Sequence, residues 1–302
     1  MAIAAVAVLG EYALRSREAS LSLDIQHIRR IPAIVNELQA SGSPNVLFLG
    51  NSLTRHGVQA DTVAESLRTA GAEPTHVYEI YPDDTTLTDW HYLYRRYLVE
   101  RGVHPDVLVV GFVLAQMEDT QALHAERVGR YFSDLSAAPE MFREDFVSAG
   151  DRVGFLLARV SSLYANRERL RDRALHALIP GYAQTAQEVN FSAKRAAEAK
   201  AVRLGPKPAP TYKKLRRFLR MTQESGARTV VVAMPQPEPY EVSPGMVSAV
   251  ESTGARFLDM RSLPGISDED YLDGFHLAPT GARVYSEHLA KLLSRGTQAA
   301  RR

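Results

Sequence analysis

The stretch VLFLGNSLTRHG, residues 46–57, decides the fold of this chain. Its apolar start leads into Gly50 and Asn51, and Ser52 follows at once. A short, continuous apolar run is typical of a strand that is buried on both faces of a parallel sheet. After such a strand, the chain either makes an ordinary turn or presents a side chain at the carboxyl edge, where open α/β sheets bind ligands. Two interpretations of Ser52 follow: a turn serine and a nucleophile.

The rest of the chain alternates between strand and helix patterns. Further strands are predicted at residues 76–80, 106–111, 229–234 and 255–259, and helices at residues 20–40, 61–70, 89–101, 152–179 and 279–293. This alternation predicts an α/β fold, a three-layer α/β/α sandwich around a parallel sheet that is flavodoxin-like in outline. The long region between the third and fourth strands predicts a helical insertion at about 121–225.

Composition and charge narrow the classes of function. The chain has 302 residues, of which 45% are hydrophobic, and its formal net charge is +1. A charge this close to zero favours no nucleic-acid partner. The absence of cysteine excludes disulfides, thiolate nucleophiles and cysteine-ligated metals. Around His91, His124 and His288 there is no metal-ligand spacing, so each is interpreted as a surface or core histidine, and no metal is expected.

The chain begins with an apolar run, AIAAVAVLG, at residues 2–10. This run is shorter than the roughly 20 residues that a membrane-spanning helix needs. It also lacks the basic segment that precedes the apolar part of a signal peptide. Two interpretations stay open, the start of an ordinary helix and the tail of a truncated membrane anchor. Since an anchor would place the chain outside the cytoplasm, a cell-envelope location is favoured over a cytoplasmic one.

A pair of residues near the C-terminus could supply what a serine nucleophile lacks. Asp273 and His276 are three residues apart in a loop that leads into the last predicted helix. This spacing lets the carboxylate reach one imidazole nitrogen, so that the other can face Ser52. His276 would then be the general base, with Asp273 fixing its tautomer. His56 is a lesser candidate for the base, because it would have to fold back over its own turn to reach the serine.

Two motifs resemble those of the SGNH or GDSL hydrolase family. The tetrapeptide GNSL, residues 50–53, resembles the family's nucleophile motif, and DGFH, residues 273–276, resembles its C-terminal Asp-x-x-His motif. The resemblance covers residues 44–120 and 228–293. It implies a serine esterase or deacetylase that acts on carbohydrate or other acyl esters through a Ser-His-Asp triad and an acyl-enzyme. No metal or organic cofactor is implied.

The resemblance also indicates which groups would bind the oxyanion. The family commonly supplies a glycine N–H after the second strand, but the loop here reads YPDDT, residues 81–85. A backbone N–H of Asp84 or Thr85 is expected to serve instead, together with that of Ser52. Paired aspartates in a loop are otherwise ordinary turn residues, and that interpretation stays open.

A second departure concerns the family's Gly-x-Asn motif, whose asparagine amide is another oxyanion donor. Gly111 is kept here, but Val113 stands at the asparagine position. Gln116 is the nearest amide that could replace it, or it is simply a polar residue that begins a helix. Asn51 is expected either to hold the nucleophile's loop by hydrogen bonds or to be a plain turn residue. Losing one oxyanion donor typically costs about 100- to 1,000-fold in turnover.

Three functions therefore stay open. The first is an esterase with a small-molecule or carbohydrate ester as substrate, an acetyl ester above all. The second is an O-acyltransferase to a polysaccharide, and the third is a non-catalytic envelope or polysaccharide-assembly protein on a degenerate hydrolase scaffold. The expected layout is an N-terminal helical segment at residues 1–40, an SGNH hydrolase-like domain at 41–295 and a tail at 296–302. Family members that act on envelope polysaccharides often carry such departures, and an anchor at the N-terminus would fit that branch.

Overall fold

The computed structural model describes residues 2–42, 44–121, 123–182, 185 and 209–299. The strands are β1 (Asn45–Leu49), β2 (His76–Ile80), β3 (Val107–Phe112), β4 (Arg228–Ala233) and β5 (Arg256–Asp259). The helices are α1 (Ala2–Arg17), α2 (Leu23–Ala40), α3 (Ser52–Gly57), α4 (Ala60–Thr69), α5 (Leu87–Tyr97), α6 (Ala125–Arg127), α7 (Ala138–Glu144), α8 (Ala149–Val160), α9 (Ser162–Ala165), α10 (Arg167–Leu178), α11 (Lys213–Glu224), α12 (Pro244–Glu251) and α13 (Pro279–Ala299). Short 3₁₀ turns and one π-helical turn, Val128–Phe132, link some of them.

The five strands form one sheet in the order β2-β1-β3-β4-β5, and every neighbouring pair is parallel. The predicted α/β fold with a parallel sheet is thereby confirmed. Because all strands run the same way, their carboxyl ends share one edge. Leu49 pairs with Ile80 on one side and with Val110 on the other, so β1, β2 and β3 end close to the same level.

The helices pack in two groups that follow from the strand order. The connection from β1 to β2 runs in one direction across the sheet, and the later connections run in the other, so right-handed crossovers place them on opposite faces. Helix α4 packs against α13, whereas α5 packs against α11, and α11 packs against α12. All five residues of β1 are buried between these layers, while β2, at the edge of the sheet, is partly exposed.

The region predicted as a helical insertion contains elements of two kinds. Its last helix, α11, packs against α5 and β4 like an ordinary crossover helix. Residues 152–179, predicted as helical, are divided between α8, α9 and α10. The break between α8 and α9 lies at Ser161, whose hydroxyl accepts a hydrogen bond from the N–H of Tyr164 and so caps α9. The insertion's limits stay a prediction, and residues 183–184 and 186–208 of this region lie outside the described residues.

Helix α1 is attached to α9 through Glu11. The Glu11 carboxylate accepts hydrogen bonds from the N–H groups of Ser162 and Leu163, at 2.6 and 3.0 Å. Burial alone would raise the pKa of Glu11, but these hydrogen bonds lower it to about 2. No helix in the described part of the chain is both long and apolar enough to cross a membrane.

Candidate active site

The nucleophile candidate lies at the junction of β1 and α3. Asn51 caps α3: its side-chain oxygen accepts from the N–H of Leu53 at 3.1 Å, and its amide nitrogen donates to the carbonyl of Thr85 at 3.1 Å. Gly50 has no room for a side chain, since an added Cβ would lie 1.9 Å from the Oγ1 of Thr54. This tight junction leaves Ser52 half-buried at the carboxyl edge of the sheet.

The structure brings Ser52, His276 and Asp273 together in one hydrogen-bonded chain. The Nε2 of His276 lies 2.9 Å from the Oγ of Ser52, although 224 residues separate them in sequence. On the other side of the ring, Nδ1 lies 2.8 Å from the Oδ2 of Asp273. These distances are within hydrogen-bonding reach on both sides of the imidazole. A proton can therefore pass from the serine hydroxyl to a ring whose other nitrogen faces a carboxylate.

The loop that carries Asp273 and His276 is held in shape by its own backbone. An antiparallel bridge joins Tyr271 to Leu277, and the Oδ1 of Asp273 accepts the N–H groups of Phe275 and His276 at 3.1 and 2.8 Å. Burial alone would raise the pKa of Asp273, but the hydrogen bonds from His276 and Phe275 hold it below its usual value. The carboxylate thus stays ionised at neutral pH, which stabilises an imidazolium beside it.

The loop after β2 adopts the conformation that a glycine would favour. Asp84 has a φ of 51°, in the left-handed region. Its N–H donates to no group in the residues that the structure describes. Thr85 is fixed on several sides, since its hydroxyl donates to the carbonyl of Pro82 at 2.6 Å and accepts from the indole of Trp90 at 2.8 Å. Asp84 therefore offers a free backbone donor on a rigid loop beside Asn51.

Gln116 and Val113 lie together at the turn after β3. The side-chain oxygen of Gln116 accepts the N–H of Val113 at 3.0 Å, and the side chain of Val113 is fully buried. Gln116 is thus used to cap this turn. Within the described ranges it makes no hydrogen bond to Ser52, so the geometry adds nothing in favour of its predicted oxyanion role.

His56 lies beside His276 and makes no hydrogen bond to Ser52 within the described residues. Its ring is 4.9 Å from the ring of His276, and its Nε2 is 3.1 Å from the guanidinium of Arg55. Arg55 in turn pairs with Asp83 at 3.0 Å. Burial first, and then the charge of Arg55, lower the pKa of His56. A neutral His56 adds no second positive charge next to His276, and the hydrogen-bonding position on Ser52 belongs to His276.

One polar pair near the site was missed by the sequence analysis. Asp89 is fully buried, and its Oδ2 lies 2.6 Å from the Nδ1 of His124. This hydrogen bond raises the pKa of His124, whose Nε2 lies 3.8 Å from the Oδ2 of Asp84. The two residues are 35 positions apart and share no motif, so the sequence held no signal for the pair.

No protein-family model matches the chain, and no curated protein sequence matches it. Several solved structures are similar at low identity. A lipase/acylhydrolase from Enterococcus faecalis is 11% identical with a TM-score of 0.41, covering 84% of this chain and 96% of its own. A catalytic mutant of Axe2, an acetylxylan esterase from Geobacillus stearothermophilus, is 12% identical with a TM-score of 0.40, covering 84% and 95%. The acetyl xylan esterase AlAXEase is 12% identical with a TM-score of 0.35, covering 82% and 99%.

Proposed function

We propose that this protein is a serine esterase of the SGNH type, in which Ser52, His276 and Asp273 form the catalytic triad. The observation that carries the proposal is the distance of 2.9 Å between the Nε2 of His276 and the Oγ of Ser52, with Asp273 on the other ring nitrogen. A serine needs such a base to become a nucleophile at neutral pH. A serine that only forms a turn is not expected to lie within hydrogen-bonding distance of an imidazole that a remote loop holds in place.

The proposed reaction passes through an acyl-enzyme. Ser52 attacks the ester carbonyl carbon while His276 Nε2 takes the hydroxyl proton, and the carbonyl oxygen becomes an oxyanion. The N–H groups of Ser52 and Asp84 hold that oxyanion. As the carbonyl re-forms, the bond to the alcohol breaks and His276 returns the proton to the leaving alcohol. Water then repeats the sequence, and its attack on the acyl-enzyme releases the carboxylic acid and restores the Ser52 hydroxyl.

A cavity beside the loop that carries Asp273 and His276 is the candidate site for a sugar portion of the substrate. It measures about 590 Å³ and lies at the carboxyl ends of β4 and β5, within the roughly 300–1,000 Å³ of typical ligand sites. Gln236, which lines it, donates to the carbonyl of Phe275, the residue before His276.

The wall of this cavity combines the rings of Tyr240 and Tyr271 with the planar ion pair of Arg261 and Asp259. Aromatic faces and planar polar groups are suited to sugar rings and hydroxyls.

The experiment that tests the proposal is hydrolysis of a small activated acetyl ester. We expect saturable turnover by the wild-type protein and its loss, by about 1,000-fold or more, in Ser52→Ala and His276→Ala. His76→Ala, an exposed histidine at the start of β2, is the matched control and should keep full activity. Equal turnover by all four proteins would contradict the proposal, since it would mean that the hydrolysis does not use the triad.

Acyl transfer to a sugar is the second candidate function, and the cavity is the observation that favours it. A site that can hold the leaving sugar can equally hold an acceptor sugar whose hydroxyl replaces water in the second step. The test is product analysis with an acetyl donor and a glycan acceptor. Acetylated glycan would support transfer, and free acetate alone would support hydrolysis.

A further inference from the structure

The peptide unit between Asp83 and Asp84 has a cation on its carbonyl side. Arg127 donates a hydrogen bond from Nη1 to the carbonyl oxygen of Asp83. The same planar unit carries the N–H of Asp84, the donor that the proposed function assigns to the oxyanion. A guanidinium on the carbonyl fixes the plane of the peptide and polarises it, which makes the N–H a stronger donor.

Arg127 is itself held by a buried carboxylate. Asp24, on α2, accepts from the Nη2 of Arg127 at 3.0 and 2.8 Å, and both residues are at most 9% exposed. Asp24 also accepts the N–H of Asp83 at 2.8 Å and the guanidinium of Arg169 at 2.8 Å. Both backbone polar groups of Asp83 are therefore bound by this ion pair, one by Asp24 and the other by Arg127.

The buried ion pair holds the loop more firmly than the exposed contact of Asp84 does. Asp84 adopts a left-handed conformation, which is unfavourable for a residue other than glycine. Its contact with His124 is 3.8 Å long and its side chain is 91% exposed, so this contact is weak. Asp24 and Arg127, in contrast, are both buried and bind the N–H and the carbonyl of Asp83 directly.

We propose that Arg127, anchored by Asp24, is a positioning residue that orients and polarises the oxyanion-binding peptide of Asp83 and Asp84. The inference rests on the proposed function. It supplies a reason why Val113 can stand where a second amide donor is expected. It also gives α6 a role in the reaction, because Arg127 reaches the peptide from the region between β3 and β4.

The test uses two variants and a chemical rescue. Arg127→Lys keeps a cation near Asp24 but cannot bridge to the carbonyl of Asp83 as well, and Arg127→Ala leaves a space the size of a guanidinium. For folded protein we expect kcat on an activated acetyl ester to fall about 10- to 100-fold, part of the loss seen when an oxyanion donor is removed, with KM changed less than twofold. Millimolar guanidinium should restore kcat in Arg127→Ala in a saturable way, whereas equal sodium chloride should not. Arg143→Ala, an exposed arginine paired with Glu144, is the matched control.

The outcomes separate this inference from the function on which it rests. If Arg127 had only a structural role, its variants would be less stable to heat but would keep the wild-type kcat below their melting temperature. Guanidinium would then restore their stability and leave kcat unchanged. Folded Arg127→Lys and Arg127→Ala with kcat within twofold of the wild type would overturn the inference while leaving the esterase intact. Wild-type protein that hydrolyses no ester and is not labelled at Ser52 by a fluorophosphonate would overturn both.

Discussion

Both carboxylate oxygens of Asp273 make hydrogen bonds. One accepts from the backbone of its own loop, and the other lies against the ring of His276. Asp273→Asn keeps the shape but offers an amide N–H to the ring, which favours the wrong tautomer. We expect kcat on an activated ester to fall about 1,000- to 10,000-fold, as when a triad aspartate is replaced. Asp172→Asn, which changes an exposed pair with Arg171 on α10, is the control and should leave kcat unchanged. A loss smaller than fivefold in Asp273→Asn would refute the assigned role.

Gly50 gives a second residue-scale prediction. Its missing side chain lets Thr54 pack against the junction of β1 and α3, and an added Cβ would lie 1.9 Å from Thr54 Oγ1. We expect Gly50→Ala to lower the free energy of unfolding by about 1–3 kcal/mol, as overpacking does, and to reduce activity by displacing Ser52. In Gly150→Ala, on α8, the added Cβ meets nothing closer than 3.4 Å. The free energy of unfolding of this variant should therefore change little or rise by up to about 1 kcal/mol. Urea unfolding of both variants measures the difference.

Residues whose positions follow from local spacing were the ones that the sequence could predict. Asp273 and His276 share one short loop, and Ser52 follows a buried strand, so it was expected at the carboxyl edge of the sheet. The catalytic roles of the three residues stay a proposal. Gln116 differs, because the direction of its side chain depends on the turn after β3, where Leu114 has a φ of 51°. Neither that turn nor the meeting of Asp89 with His124 leaves a pattern in the sequence.

At the scale of elements, the strands were predicted to within one residue at each end. Continuous apolar runs bounded by Gly, Pro or polar residues leave little choice of limits when both faces of a strand are buried. The helices of residues 152–179 were harder, since the side-chain cap at Ser161 ends one helix and starts the next without interrupting the apolar spacing. Such caps are decided by hydrogen bonds that periodicity does not report.

The edge strand β2 carries a carboxyl group whose titration should be measurable. Burial, reinforced by the charge of Asp61, raises the pKa of Glu79 to about 7 from 4.5. Between these two pKa values the folded state holds a proton that the unfolded state releases. The free energy of unfolding therefore falls as the pH rises from about 4.5 to 7. Above this window the loss has its full size, up to about 3 kcal/mol. We expect Glu79→Gln to be more stable than the wild type at pH 8 and nearly equal to it at pH 4.5. Thermal unfolding at both pH values checks this, and Glu37→Gln, at an exposed position of α2, is the control. Equal stability of Glu79→Gln and the wild type at pH 8 would argue against the raised pKa.

At the scale of the whole molecule, the N-terminal segment and the region between β3 and β4 are joined by buried charges. The Glu18 carboxylate accepts from Arg130 at 3.1 Å, from Tyr131 at 2.8 Å and from Asn166 at 2.9 Å. The sequence predicts no link between these segments, since partners more than a hundred residues apart leave no local signal. Their joint packing places Asp24 and Arg127 against the loop after β2.

Glu18 therefore tests whether these segments fold as one body with the sheet. We expect Glu18→Gln to lower the free energy of unfolding by about 3 kcal/mol or more, because it leaves the buried side of Arg130 without its counter-charge. Glu65→Gln, which breaks the exposed pair with Arg68, is the control and should leave the melting temperature unchanged. A single unfolding transition that shifts in Glu18→Gln supports one cooperative unit. An unshifted transition would show that the N-terminal segment adds nothing to it.

Covalent labelling by a fluorophosphonate is the decisive measurement for the triad, because it requires an activated serine and no knowledge of the substrate. The adduct is located by peptide mass spectrometry in the wild type, in Ser52→Ala and in His276→Ala. We expect one adduct per chain, on Ser52, no adduct in Ser52→Ala and a much slower reaction in His276→Ala. A folded wild-type protein that takes up no label, or takes it up on another residue, would contradict it.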